Sequence, residues 1–265
     1  PEPSHSFISR ITQVNSRSTM NVTMNQKTTW AFLALTLFSW SIVATAVVLA
    51  EGTIGTDDLS AWRQPTTGWT TVGDVRLDER DSKRLAAIAG TGVIFSGEQG
   101  SAVYLLSKDE FSDVVLHIEF NIPQGSNSGV YFMGRYEIQI YDSYGVDTSA
   151  YPGIECGGIY PRHTDQRGEF EGHSPRVNAS LPPGQWQSFD VTFLAPRFDD
   201  SGKKTANARF AKVVHNGKVI HEDVEVTGMT RAGMSNQEAA TGPIRLQGDH
   251  GPVAYRNIQV RRLND

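Results

Sequence analysis

Strict two-residue alternation limits what this chain can fold into more than any other feature. In SDVVLHIEFN, residues 112–121, Val114, Leu116, Ile118 and Phe120 fall on one side and Val115, His117 and Glu119 on the other, which is the pattern of a half-buried strand. NSGVYFMGRYEIQIYDSYG, residues 127–145, repeats it: Val130 and Phe132 oppose Tyr131 and Met133, Gly134 permits a tight link, and Tyr136, Ile138 and Ile140 oppose Arg135, Glu137, Gln139 and Tyr141. Phe189, Val191 and Phe193 alternate in SFDVTF, and Asn216-Gly217 separates two alternating runs as a hairpin turn would. Near the end, Ile244 and Leu246 oppose Arg245 and Gln247, and Ile258 and Val260 oppose Asn257, Gln259 and Arg261. No segment of helical period matches these in quality. The 25 Gly and 12 Pro lie between short apolar runs, where they make turns. Many two-faced strands bury their apolar sides by packing as two sheets, so residues 57 to 263 are expected to form one all-β sandwich of two antiparallel sheets, without linker or internal repeat.

Residues 29–50 carry no charge, follow Lys27 and end in Val48, Leu49 and Ala50, the small-residue pattern of a cleavable export signal. The run is also just long enough to cross a bilayer, but its shape favours cleavage after Ala50, a start at Met24, and an exported protein of the periplasm, cell envelope or extracellular space. Residues 1–50 are therefore read as N-terminal extension and signal peptide, and 51–265 as the folded domain, with no stable membrane association once the signal is gone. Cleavage removes Arg10, Arg17, Lys27 and Glu2 and takes the net charge from −5 to −7, which disfavours nucleic acid as a partner. Cys156 is the only cysteine, so no internal disulfide forms; followed by two glycines in ECGGIY, it reads as a buried structural thiol.

Arg135, Glu137 and Gln139 occupy the side of their strand away from the core, and Tyr131, Met133 and Tyr141 add bulk to the same side. A solvated sheet surface is the plain reading of any one polar residue there. Taken together, polar groups interleaved with large side chains suit a platform on which a sugar stacks. Residues 143–184 are far longer than an ordinary connection, and such loops carry function or lack order.

These segments, with GGIY, GQWQSFDVTFLAPRFDDSGKKTANARFAKVVHNGKVIHEDVEVTG and GPIRLQGDHGPVAYRNIQVRRL, resemble the 3-keto-disaccharide hydrolase family, long known as a domain of unknown function, in consistent order from about Trp62 to Leu263. The resemblance implies a concanavalin A-like jelly roll with sugar bound on a concave sheet, in bacteria that export carbohydrate-degrading proteins. The positions that match its motifs are Asn127 to Gly129 at a turn, Arg135 to Asp142 along a strand, Gly158 to Tyr160, Trp186, and Gln247 to Gly251, with Gly248 as a departure between Gln247 and Asp249.

The implied chemistry exploits a ketone at carbon 3, which acidifies the proton on carbon 2 and makes the glycosidic oxygen on carbon 1 a β leaving group. Elimination and re-addition of water then give net hydrolysis of an oligosaccharide or glycoside. A base, donors for the enolate oxygen and an acid for the leaving sugar are needed. Glu137 is the leading catalytic candidate and His250 the second, with Asn127, Tyr131, Arg135, Gln139, Asp142, Tyr160, Gln247 and Asp249 as substrate-binding candidates. Arg135 either steadies the enolate or pairs with Glu137. His117 and Glu119 read as surface, and His163 and His173 as loop residues without ligand spacing. Glu137, Asp249 and His250 offer donors suited to a divalent metal, though their spacing does not demand one. Two rivals stay open: a glycosidase with paired carboxylates, for which Glu137 and Asp142 would need a bulge to meet, and a non-catalytic, lectin-like carbohydrate-binding module.

Overall fold

Sixteen strands and no helix make up residues 51–147 and 153–263, which a computed structural model of the protein describes. The expected leader and its cleavage point lie outside the described residues. The larger sheet runs in the order β14 (Lys218–Val226), β13 (Ala208–His215), β10 (Gln187–Leu194), β5 (Val114–Asn121), β16 (Ala254–Arg262), β3 (Leu85–Phe95), β2 (Thr70–Leu77), with β1 (Glu51–Thr53) also pairing β16. The smaller is β4 (Leu105–Phe111), β15 (Gly242–Leu246), β6 (Asn127–Phe132), β7 (Tyr136–Tyr141). All of these pairings are antiparallel. Two short hairpins, β8 (Arg162–Thr164) with β9 (Gly168–Phe170) and β11 (Arg197–Phe198) with β12 (Lys204–Ala206), complete a jelly-roll sandwich.

The apolar sets read from the sequence meet between the sheets. Leu116, Ile118, Phe120, Phe189, Val191 and Phe193 of the larger sheet and Val130, Phe132, Tyr136, Ile138, Ile140, Ile244 and Leu246 of the smaller share one core cluster. Phe132 stacks on Phe193 at 5.0 Å and meets Phe210 edge-on at 5.5 Å. Each such side chain contributes about 1.5–3 kcal/mol by leaving water. Asn216 and Gly217 have φ of 49° and 77° between β13 and β14, and Met133 and Gly134 have φ of 54° and 64° between β6 and β7, so both predicted tight links are turns of positive φ.

Order along the chain and order within the sheets part ways at one point that matters. β5 and β6 follow each other in the chain but lie in different sheets: β5 pairs with β10 and β16, β6 with β15 and β7. His117 and Glu119 are therefore not beside Glu137. On the other sheet His117 Nδ1 lies 2.7 Å from Asp190 Oδ1, and Glu119 accepts from Arg256 at 2.7 Å and Asn257 at 2.9 Å.

Cys156 is buried, as expected, and burial pushes its thiol up to about 12, so it carries almost no thiolate at neutral pH. Its backbone N–H donates to Ser143 Oγ at 2.9 Å, a bond that survives truncation of the side chain. Cys156→Ala is expected to keep turnover within about twofold and to cost roughly 1–2 kcal/mol for the small void, measured by urea denaturation beside a steady-state assay. Loss of turnover in the folded variant would restore the thiol as a reactant.

Candidate active site

Register assembles the site on the face of the smaller sheet opposite the core. Arg245 of β15 stands across from Tyr131 of β6, which stands across from Glu137 of β7, so three consecutive strands place these side chains in one row. The next row joins Gln247, whose N–H donates to the Gly129 carbonyl, to Gly129 and, across the β6–β7 pair, to Gln139. Asn127 to Gly129 belong to strand β6 and not to a turn. Gly129 has an ordinary extended φ and is required for room: a Cβ there would lie 2.1 Å from Glu137 Oε1.

This face is not a wetted surface. Glu137 is 2% exposed, Gln139 3% and Arg135 8%. The segment following Glu155 runs along the free edge of β7, with Gln139 N–H donating to Gly158 O, Gly157 N–H to Gln139 O and Tyr160 N–H to Glu137 O. Residues 228–241 approach from the hairpin end, where Thr230 N–H donates to Arg135 O and Met234 N–H to Gly134 O. What remains open is a chamber of about 350 Å³ lined by Tyr104, Asn127, Tyr131, Glu137, Gln139, Tyr160, Arg231, Ala232, Gln247 and His250.

Among its described lining residues Glu137 is the one carboxylate. Burial raises its carboxyl to about 8, against the opposing pull of the Tyr131 hydroxyl, which hydrogen-bonds it, and of the Arg245 guanidinium. Gln139 joins this set. In the amide orientation that satisfies both ends its nitrogen donates to Glu137 Oε1 at 3.3 Å and Ser128 O at 2.8 Å, which outweighs the single 3.3 Å bond to Ile154 O in the opposite orientation. Arg245 is held by donating to Ala232 O at 2.6 Å and by lying 3.7 Å from the Tyr104 ring centroid and 4.8 Å from that of Tyr131. Burial also raises the Tyr104, Tyr131 and Tyr160 hydroxyls, assisted in each by the charge of Glu137, so all three remain protonated donors at neutral pH.

Gln247 Nε2 reaches Tyr104 Oη at 3.1 Å and His250 Nδ1 at 2.9 Å, while His250 Nδ1 lies 2.6 Å from Asp249 Oδ1. When Nδ1–H donates to Asp249, Nε2 is the nitrogen left to exchange a proton. Asp249 touches the chamber only through this partner. Among the described residues no three His, Cys, Asp or Glu side chains gather as metal ligands, so Glu137, Asp249 and His250 do not form a preassembled ligand trio.

Two sequence expectations are corrected. Arg135 neither pairs with Glu137 nor lines the chamber: it follows the Met133-Gly134 turn, one residue outside the β6–β7 ladder, where the alternation rule lapses, and its guanidinium donates to Met133 O at 2.8 Å and Gln237 O at 2.9 Å. Asp142 lies past the end of β7, accepts from Gly125 N–H at 2.9 Å, and lines an adjoining chamber. The cation that acts on Glu137 is Arg245, whereas the one lining the chamber is Arg231, which donates to Glu169. Alternation with Ile244 and Leu246 puts Arg245 on the polar face, but only the β15–β6 pairing puts it beside Glu137. Tyr104 and Arg231 carry no comparable signal in the sequence.

The comparisons with known proteins agree with this architecture. The 3-keto-α-glucoside-1,2-lyase-like domain model matches residues 45–261. A proposed glycosyl hydrolase from Parabacteroides distasonis ATCC 8503 superposes with a TM-score of 0.57 at 26% identity, over 80% of this chain and 84% of its own. A second from the same organism gives a TM-score of 0.52 at 18% identity, over 81% of this chain and 100% of its own, a likeness of fold. Comparison with curated protein sequences gives no significant match. The match over most of its length means that the chain belongs to the 3-keto-α-glucoside-1,2-lyase-like domain family, a carbohydrate-acting group.

Proposed function

We propose that the protein cleaves 3-keto glycosides by elimination across carbons 1 and 2 followed by hydration, with Glu137 as the base. The observation that carries this reading is a buried carboxylate, the one carboxylate among the described lining residues, with its pKa raised to about 8, in a sugar-sized chamber otherwise lined mainly by amide, hydroxyl and imidazole groups and the Arg231 guanidinium. A proton α to a ketone is a weak acid, and a carboxylate of raised basicity removes it more readily than an ordinary one. Glu137 takes the proton from carbon 2, and its electron pair moves onto the ketone oxygen to form an enolate. Donors such as the Asn127 amide and the Tyr104 and Tyr160 hydroxyls stabilise that charge in a site shielded from bulk water. Collapse of the enolate breaks the bond between carbon 1 and the glycosidic oxygen, which takes a proton from His250 or Tyr160. Water then adds at carbon 1 of the enone, its released proton restoring the group that protonated the leaving oxygen, and Glu137 returns its proton to carbon 2, giving net hydrolysis.

The family description names a 1,2-lyase on a 3-keto-glucoside, which supports the same bond change. A glycosidase with paired carboxylates fits less well, because Asp142 lies outside the chamber of Glu137. A lectin has no need of a buried carboxylate that costs stability when it ionises. Purified protein incubated with a 3-keto glucoside, with and without a chelator, tests the proposal. Release of the leaving alcohol with exchange of the carbon 2 hydrogen for solvent deuterium is expected, and the chelator arm reports whether a divalent metal takes part. Binding without turnover in both arms would turn the reading to a lectin. We place the protein outside the cytoplasm on the strength of its uncharged leader.

A further inference from the structure

The chamber over Glu137 has one arginine among its described lining residues, Arg231, and no step of the proposed reaction uses it. Arg245, the cation beside Glu137, is 9% exposed and committed to the Ala232 carbonyl and the rings of Tyr104 and Tyr131. Arg231 is less bound. Its side chain is 52% exposed, Nη1 donates to Glu169 Oε1 at 2.5 Å, and no described group accepts from its Nε or Nη2. Burial raises the Tyr160 hydroxyl, the charges of Glu137 and Glu169 add to the effect and that of Arg231 opposes it, so carboxylate and guanidinium act on one hydroxyl of the chamber wall.

The backbone that presents Arg231 is tied to Glu137. Thr230, fully buried, donates through Oγ1 to Arg135 O at 3.0 Å and accepts there from the Glu137 N–H at 3.2 Å. Arg231 N–H donates to Pro161 O at 2.8 Å and Gly233 N–H to Thr230 O at 3.1 Å, closing a tight turn. Ala232 inside that turn has a φ of 61°, a left-handed conformation that is unfavourable for a residue with a side chain and recurs at functional sites. One strained turn thus offers the Ala232 carbonyl to Arg245 and the Arg231 side chain to the chamber.

We propose that Arg231 is a further catalytic residue whose free N–H groups receive the negative charge that forms on the ketone oxygen, so that the chamber binds sugar enolate anions. The inference rests on the proposed elimination. In that step the bond between carbon 2 and its hydrogen breaks, the proton goes to Glu137 and the electron pair ends on the ketone oxygen; no proton passes to or from the guanidinium. A cation beside that oxygen is most stabilising once the oxygen is charged, so its effect falls on the transition state. Neutral donors answer such a charge less strongly than a guanidinium, whose remaining N–H groups lie in a planar fork. Half-exposed and shared with Glu169, Arg231 contributes less than a buried oxyanion donor, whose removal costs about 100-fold or more.

The test uses Arg231→Ala, Arg231→Lys and Glu169→Gln, with a 3-keto glucoside as substrate and ascorbate, a stable sugar-derived enolate anion, as an anaerobic binding probe. Calorimetry at about pH 6.5 finds the Glu137 carboxyl holding a proton, as it does once it has taken one from carbon 2. Arg231→Ala is expected to lower kcat about 30-fold with KM changed less than about threefold, and to weaken ascorbate binding about tenfold. Lysine keeps the charge and loses the fork, so it is expected to fall between, and it carries the comparison if the alanine protein does not fold. Glu169→Gln is expected to keep kcat within about threefold, because the guanidinium remains. Unchanged kcat and ascorbate binding in folded Arg231→Ala would overturn the inference. So would a Glu169→Gln protein that loses as much as Arg231→Ala, since the pair would then be only a clamp on the β8–β9 hairpin. Ascorbate binding that depends on Arg231, in a protein that turns over no 3-keto glycoside, would keep the anion site and remove the reaction; turnover that ignores Arg231 would do the reverse. A wild type that does neither would remove both.

Discussion

Glu137→Gln is expected to lower turnover of a 3-keto glycoside by roughly 100-fold or more, the usual effect of losing a general base, and to make the protein more stable at alkaline pH. The two effects share one cause. The carboxyl titrates near 8 in the folded protein because it is buried, against 4.5 in an unperturbed side chain, so between these values the folded state holds a proton that the unfolded state has released. Stability then falls as pH rises, by about 1.4 kcal/mol per unit, and levels off above the folded pKa. Glutamine has no proton to lose and removes the slope. The variant is expected to match the parent near pH 4.5 and to exceed it by up to about 5 kcal/mol above pH 8, measured by urea denaturation across that range. In the parent, kcat/KM is expected to rise through pH 8 as Glu137 becomes ionised. A folded Glu137→Gln protein with near-normal turnover would remove Glu137 from the reaction, and a flat stability difference would mean that its carboxyl is not strained by burial.

Gly129→Ala is expected to reduce turnover by about 100-fold through displacement of the same carboxylate. The added methyl would sit 2.1 Å from Glu137 Oε1 and 2.9 Å from Cδ, distances that no side chain tolerates, and Glu137 is already enclosed by Tyr131, Gln139 and Arg245. Something has to move. The carboxylate is the flexible partner, so it swings from its position over the chamber while the strand, whose φ at Gly129 suits alanine, remains paired. Loss of kcat with retained thermal unfolding behaviour and retained disaccharide binding would bear this out. Normal kcat would show that the position of the carboxylate is less restricted than its packing indicates.

These two substitutions illustrate different degrees of legibility. Glu137 was readable because side-chain direction alternates strictly along a strand: once Ile138 and Ile140 are taken as core, Glu137 must face the other way. Gly129 was visible only as part of a motif, and its spatial role depends on the residue opposite, which no local pattern names. Arg135 was misplaced because alternation was carried one residue too far, past the turn that ends the ladder. Asp142 entered through its place in the family motif and not through alternation, which already sets it on the face opposite Glu137.

Taken alone, the sequence determined which face of each strand is apolar, where Asn216-Gly217 and Met133-Gly134 reverse the chain, that Cys156 is buried, and hence that two sheets share a core. Those properties follow from periodicity two and from the φ preferences of single residues, which act over a few positions. Which strands become neighbours is decided by pairing between distant segments. Only the tertiary structure separated β5 from β6, set Arg245 across from Tyr131 and in the row of Glu137, and laid residues 155–160 and 228–241 over a polar face that its composition would have left in water. That covering is what raises the basicity of Glu137, because the cost of holding a charge depends on how much water remains around it and not on the residues adjacent in the chain.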